Sequence, residues 1–219
     1  MLITPFQSVS ADESQSFNSP IRYIDFSNGA ADADALAGLL LNAYACRFDG
    51  CSFQGVMNAT ADGAENAALA IAGNASNYHF ENCHIGNNMW RTRTAAGSGQ
   101  LNYIATGYPY PQHGIFRQCQ FVVWSETSTV GMVRCADGDS MGMLHLYDNC
   151  LFHNVSTNWA NTLAAVFVEA AQVRTSTIAL KDCFAIGFDE YHVSDYGTRF
   201  QTNNPASAAG GGLGTEATG

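Results

Sequence analysis

The chain has 219 residues, enough for one domain with arms, and 47% of them are hydrophobic, so a sizeable core is within reach. Only 13% are charged, the net charge is −10, and Lys181 is the single lysine. No basic stripe is available for phosphate contacts, which argues against a nucleic acid, an anionic glycan or a membrane surface as partner.

Residues 1–20 are rich in Ser and Gln with few apolar anchors (Leu2, Ile3, Phe6, Phe17), a composition that makes no core of its own and reads as an extended arm. Ile21 to Asn28 opens with the partly alternating Ile-Arg-Tyr-Ile-Asp-Phe, the pattern of a first, incomplete coil. Residues 30–45 admit two readings. Asp32 or Asp34 could cap a helix through Ala35 to Leu41, whereas alignment on Cys51 sets Leu39 and Asn42 where Ile71 and Asn74 stand relative to Cys83, which favours a strand.

From residue 48 one short motif occurs five times: Phe48-Asp-Gly-Cys51-Ser-Phe53, Phe80-Glu-Asn-Cys83-His-Ile85, Phe116-Arg-Gln-Cys119-Gln-Phe121, Tyr147-Asp-Asn-Cys150-Leu-Phe152 and Leu180-Lys-Asp-Cys183-Phe-Ala185. The intervals between cysteines are 32, 36, 31 and 33 residues, a period that marks a solenoid or a similar array. In a plain strand inward side chains fall two apart, so an inward aromatic three residues before an inward cysteine requires a bend between them. The residues just before the cysteines are Gly50, Asn82, Gln118, Asn149 and Asp182, four of them types that tolerate a left-handed backbone. Upstream of each motif lies a second apolar run (Leu36 to Leu41, Ala67 to Ala72, Leu101 to Ala105, Gly131 to Cys135, Leu163 to Ala170), set off by turn-forming residues. Each repeat is therefore two or three short strands, a tight bend and a variable loop.

Cys51, Cys83, Cys119, Cys150 and Cys183 then form a parallel column about 4.8 Å apart, too far for good disulfide geometry. They read as buried free thiols acting as small hydrophobes, which suits a reducing compartment. The N-terminus lacks the order of a signal peptide, and no apolar run is long enough for a membrane span. Cys150-Leu-Phe-His153 has the spacing of a ligand pair, but structural zinc needs four converging ligands and a straight column does not converge.

Two positions before each cysteine stand Asp49, Glu81, Arg117, Asp148 and Lys181. The last four alternate in sign, so neighbours can pair and hold register. Asp49 beside Glu81 is an uncompensated acidic pair, able to attract a cation or simply solvated. The six histidines show no metalloenzyme spacing, and neither a phosphate loop nor a nucleophile elbow is present.

Loops fall at about 56–66, 86–100, 106–113, 124–130 and 153–162. Insertions in solenoids gather on one or two faces, where partners bind. Trp90, Arg91 and Arg93 in one loop, and Tyr108 and Tyr110 in another, are candidate partner contacts because such side chains dominate binding surfaces. The same rings could instead fold back over their own side of the solenoid. Residues 203–219 are low in complexity and flexible alone; docked on a neighbouring chain they would take a fixed path, with Leu213 as the apolar contact.

The corner of an apolar residue, a polar residue, Asn or Gly and a stacked small side chain resembles that of the right-handed parallel β-helix proteins of the pectate-lyase-like group, which includes many bacteriophage tailspikes and virion proteins. The resemblance covers about residues 36–190. It implies an all-β chain: a right-handed parallel β-helix of about five to six coils over residues 21–195, an extended N-terminal arm over 1–20 and a flexible Gly/Ala-rich C-terminal tail over 196–219. The group holds lyases, hydrolases and inert structural proteins alike. A lyase of the pectate type would use a calcium-binding acidic cluster and a basic residue that abstracts a proton, with Asp137, Asp139, Asp148 and Glu169 as candidates and Arg134 or Arg174 as the base. Asp137-Gly-Asp139-Ser is equally good turn chemistry.

Together these features lead to the expectation of a non-enzymatic structural virion protein of a bacteriophage, a capsid decoration or cement subunit assembled in the host cytoplasm. It would have no catalytic residue, metal or cofactor. Its partners would be neighbouring virion proteins, the major capsid protein foremost, and it would form a homo-oligomer, a trimer if it packs like other phage β-helices. The alternative is a tailspike-like domain that binds or cleaves polysaccharide.

Overall fold

A computed structural model of the chain describes residues 20–27, 37–54, 67–73, 75–86, 99–104, 111–124, 132–135, 142–155, 163–169, 176–193 and 199–202. Among these residues there is no helix, and all regular structure is strand. The first six strands are β1 (Ile21–Arg22), β2 (Asp25–Ser27), β3 (Leu39–Leu41), β4 (Arg47–Asp49), β5 (Ser52–Gln54) and β6 (Leu69–Ala72). Then come β7 (His79–Glu81), β8 (His84–Gly86), β9 (Leu101–Ile104), β10 (Gln112–Arg117), β11 (Gln120–Val123) and β12 (Val133–Cys135). The last seven are β13 (Gly142–Asp148), β14 (Leu151–Asn154), β15 (Leu163–Glu169), β16 (Ser176–Lys181), β17 (Phe184–Ile186), β18 (Phe188–Val193) and β19 (Arg199–Thr202).

Each strand pairs in parallel with the strand three along. Sheet A therefore has seven strands, ordered β1-β4-β7-β10-β13-β16-β19; sheet B has six, from β2 to β17, and sheet C six, from β3 to β18. Three parallel sheets visited in rotation are the arrangement of a parallel β-helix or related solenoid. The apolar runs upstream of the motif form sheet C, so the unit is three strands long. Residues 39–41 are strand, the reading that the alignment on Cys51 favoured. Sheet A also extends to β19, inside the span taken from composition as tail.

The alignment itself was two residues out. Leu41, not Leu39, pairs with Ile71. Farther along, Tyr44 bridges Ser76, so the second coil holds two more residues between those points. They are taken up by a turn in which Ala75 N–H bonds the Ala72 carbonyl at 3.0 Å and Gly73 has φ 47°.

The repeat positions stack in register. Ile21, Phe48, Phe80, Phe116, Tyr147 and Leu180 are successive partners in sheet A. Parallel pairing puts like rings face to face: Phe48–Phe80 at 4.8 Å, Phe80–Phe116 at 5.0 Å and Phe116–Tyr147 at 4.9 Å, all within 8° of parallel. In sheet B, Phe26 stacks on Phe53 at 5.1 Å and Phe121 on Phe152 at 4.9 Å. Rings of different sheets meet edge to face, as in Phe48–Phe53, Phe152–Phe167 and Tyr147–Phe167, so all three sheets contribute to one buried cluster. Each such ring pair adds roughly 0.5–1.5 kcal/mol beyond the area it buries.

Phe80 is fully buried between two stacked neighbours. Phe80→Ala should therefore cost about 3–5 kcal/mol in denaturant unfolding. Phe184→Ala, at an outward and half-exposed site of sheet B, should stay within about 0.5 kcal/mol of the parent. Equal losses at both positions would contradict the ring stack as the main packing element.

Candidate functional site

The bend positions carry left-handed backbone throughout, with φ of 64° at Gly50, 54° at Asn82, 53° at Gln118, 54° at Asn149 and 52° at Asp182. At each of the first four bends the residue's N–H bonds a carbonyl one coil further on, as from Asn82 to Arg117 at 3.0 Å. The residue after each cysteine bonds the previous coil's carbonyl, as from His84 to Cys51 at 2.9 Å. The ladder thus runs unbroken round the corner, which offsets the conformational cost. Tyr23 (φ 56°) is an equivalent bend, and Ile24 occupies the cysteine position there, so residues 21–26 are a further copy of the motif.

A second column of bends, Ala45, Asn77, His113 and Met143, has φ of 54°, 55°, 53° and 59° and stands at the entry to sheet A, ahead of β4 and β7 and at the second residue of β10 and β13. Of those four side chains only Asn77 is of a type that suggests it. A left-handed alanine, histidine or methionine costs roughly 1–2 kcal/mol, held here by bonds such as Ala45 N–H to the Ser76 carbonyl at 2.7 Å.

All five thiols of the column are free and buried. Cys119 donates to the Phe80 carbonyl at 3.4 Å and the Arg117 carbonyl at 3.3 Å; Cys150 does the same to Phe116 and Asp148, and Cys183 to Tyr147 and Lys181. Each acceptor pair is the same two places in the repeat, so the three side chains share one rotamer. Burial pushes the Cys51 and Cys119 thiols up, and the neighbouring Cys150 thiol together with burial pushes Cys183 up. His153 lies on β14 beside buried Phe152 and is itself half-buried, so in the strand alternation it faces away from the interior that holds Cys150. That pair does not converge.

On the outside of sheet A the ion pairs differ from the simple alternation. Asp148 does bind both expected cations, Arg117 at 3.1 Å and Lys181 at 3.0 Å. The Lys181 ammonium, with Arg117, holds the Asp148 carboxyl below its usual range. Glu81, however, is met by Arg47 at 2.7 Å rather than by Arg117, and Asp49 by Arg22 at 3.2 Å and the Asn82 amide at 3.2 Å. The acidic pair Asp49 and Glu81 is therefore compensated. Arg22 was missed because residues 21–26, with Ile24 in place of a cysteine, read only as an incomplete coil and not as a motif copy, and Arg47 because it stands one residue before the motif.

Sequence reasoning also missed a buried polar chain. His145 lies on β13 with Nε2 2.9 Å from the Gly142 carbonyl. A carbonyl only accepts, so Nε2 carries the proton and Nδ1 accepts from the Tyr78 hydroxyl at 2.8 Å. Tyr78 Oη is 3.4 Å from Tyr103 Oη, which is 3.0 Å from Tyr147 Oη. All four side chains are buried and link the three hydroxyls and the imidazole in one chain. Gly114 makes room for it, since a Cβ there would lie 2.3 Å from the Tyr78 hydroxyl. Burial drives the His145 pKa down to about 4, partly offset by the Gly142 and Pro111 carbonyls, and pushes the tyrosines up. The only hint in the sequence was a histidine inside an apolar run.

Of the residues a lyase-type site would use, Asp148 lies in sheet A, while Arg134 and Glu169 lie on adjacent strands of sheet C, so these three are not brought together. Asp137, Asp139 and Arg174 lie outside the described residues, as do Trp90, Arg91, Arg93, Tyr108, Tyr110 and Leu213. Among the described residues no three His, Cys, Asp or Glu side chains gather as a metal site of that kind. Comparison of the chain with family models, with curated proteins and with solved structures finds no match.

Because folded His145 resists protonation until about pH 4 while the unfolded residue takes a proton near 6.5, stability should fall as pH drops through that window. The loss amounts to about 3 kcal/mol by pH 4. His79, His84 and His153 are also lowered by burial and act in the same direction. The measurement is therefore the difference in unfolding free energy between the parent and His145→Gln across pH 7 to 4; parallel curves would contradict the role of the buried imidazole. A second outcome concerns Gly114→Ala, which should displace the Tyr78 ring and cost about 1–3 kcal/mol by leaving His145 Nδ1 without its donor.

Proposed function

We propose that the three sheets close into a right-handed parallel β-helix of about six coils and that the chain is a passive structural subunit of a bacteriophage virion, a capsid decoration or cement protein. Right-handed connection is the rule for parallel strands joined by crossovers. Edge-to-face rings joining every pair of sheets support closure round one core. The observation that carries the structural reading is the commitment of the sheet A charges to one another: Arg22 to Asp49, Arg47 to Glu81, and Asp148 to Arg117 and Lys181. A carboxylate held ionised between two cations is poorly suited to general-acid work, and such a ladder fixes register between coils.

Coils at about 4.8 Å make a stack only about 24–29 Å tall for five to six coils, short for a groove that must grip several sugars. Residues 1–20 and 203–219 are the attachment arms on this reading, since an extended segment can add to a neighbour's sheet edge. Two weak attachments on one subunit gain avidity through effective concentration. The acidic net charge of −10 suits an outer surface. On this reading the partners are the major capsid protein and further copies of the chain, packed as a trimer. A tailspike-like domain acting on surface polysaccharide is the competing reading, and it rests on the same resemblance.

Deletion of residues 203–219 separates the two. Under the structural reading the truncated chain folds but disappears from purified particles, and the full chain releases neither reducing ends nor unsaturated sugar from host polysaccharide. Retained incorporation together with sugar release would favour the competing reading.

A further inference from the structure

We propose that the thiol column is a binding site for a soft, two-coordinate cation of the copper(I) or silver(I) class, with Cys119 and Cys150 taking the first ion. The proposal rests on the geometry of the column and is independent of the virion assignment.

Cys119, Cys150 and Cys183 each donate to the same two acceptors of the repeat, one two residues back and one in the preceding coil. One shared rotamer at equivalent corners, held in register by the inter-coil bonds on either side, makes the sulfur atoms repeat at the strand spacing, about 4.8 Å. Two metal–sulfur bonds of about 2.3 Å laid end to end span about 4.6 Å. The column thus presents pairs of sulfurs at the separation that linear coordination needs and that a disulfide cannot bridge. Cys83, Cys119 and Cys150 each have one thiol neighbour above and one below, which fits two-coordinate ions and fits neither tetrahedral zinc nor a three-ligand site among the described residues. Thiol donors select soft cations.

In the first coil the same position is occupied by Ile24, whose carbonyl accepts the Ser52 N–H as the Cys51 carbonyl accepts that of His84. Cys119 and Cys150 are central, with Cys83 and Cys183 on either side, and both are buried.

The binding step balances without a redox partner. One cation and two thiols give one metal–thiolate bond, one dative bond from the second, still protonated sulfur, and one released proton. The bound unit is neutral, which the apolar interior requires, and each carbonyl that loses a thiol proton faces only a weak lost bond.

The test titrates the full-length reduced protein with silver(I) in chloride-free buffer, following sulfur-to-metal charge-transfer absorption, proton release, native mass and far-ultraviolet circular dichroism. Expected are retention of silver by the folded chain, about one proton per first ion, and protection of Cys119 and Cys150 from alkylation when the complex is unfolded and mapped by peptide mass. Cys119→Ser/Cys150→Ser should weaken the first equivalent by about tenfold or more. Cys46→Ser, outside the column, should not change it. Silver bound only as the β signal is lost, protection of other cysteines instead, or unchanged binding in the double variant would each overturn the proposal. If the double variant does not fold, the protection map of the parent still decides.

Discussion

Everything in this molecule depends on the strand spacing. Parallel strands in register place each side chain about 4.8 Å from its equivalent in the next coil, a distance at which flat rings stack, thiols sit in a column and opposite charges meet. The same spacing penalises like charges, which accounts for a chain with only 13% charged residues whose sheet A carboxylates each have a cation beside them. Repetition of residue type at the motif is thus the direct chemical expression of a single geometric constraint.

That constraint creates a cost at the corners, where the chain must turn from one sheet into the next within a residue. Both bend columns adopt left-handed backbone; the one before the cysteines uses suited residue types at every bend but Gln118, the other only at Asn77. At the other, alanine, histidine and methionine hold the conformation because an amide at the bend bonds a neighbouring coil, that of Ala45 itself and those of Gln112 and Gly142 just before His113 and Met143. The distributed hydrogen bonding of a solenoid lets individual residues sit in unfavourable conformations, since no single corner can relax without breaking ladders above and below it.

The interior is not uniformly apolar. His145 and three tyrosine hydroxyls run as a bonded chain through a core otherwise made of rings and aliphatic side chains. A chain with its partners in place specifies one arrangement of the coils that meet there, because displacement of any member strands a buried donor or acceptor. The thiol column, at the corners between sheets A and B, is the opposite case, a row of weakly polar groups held in fixed spacing.

The repeat, the bend before each cysteine, the strand character of Leu39–Leu41 and the burial of the five thiols were legible in the linear chain, because each is a local pattern recurring at the length of one coil. What the tertiary structure alone decided falls into three kinds. The two-residue offset between Leu41 and Ile71 depended on a turn whose length no periodicity reveals. The partners of Asp49 and Glu81 came from Arg22, in a motif copy that carries no cysteine, and from Arg47, one residue ahead of a motif, positions the cysteine spacing does not mark. Tyr147 and His145 lie on β13 of sheet A, Tyr103 on β9 of sheet C and Tyr78 just ahead of β7 of sheet A, and their meeting depends on how those sheets face each other across the core. A residue's own neighbours in the chain set its strand and its face, whereas what it touches across the interior is set by the residue counts of every intervening loop.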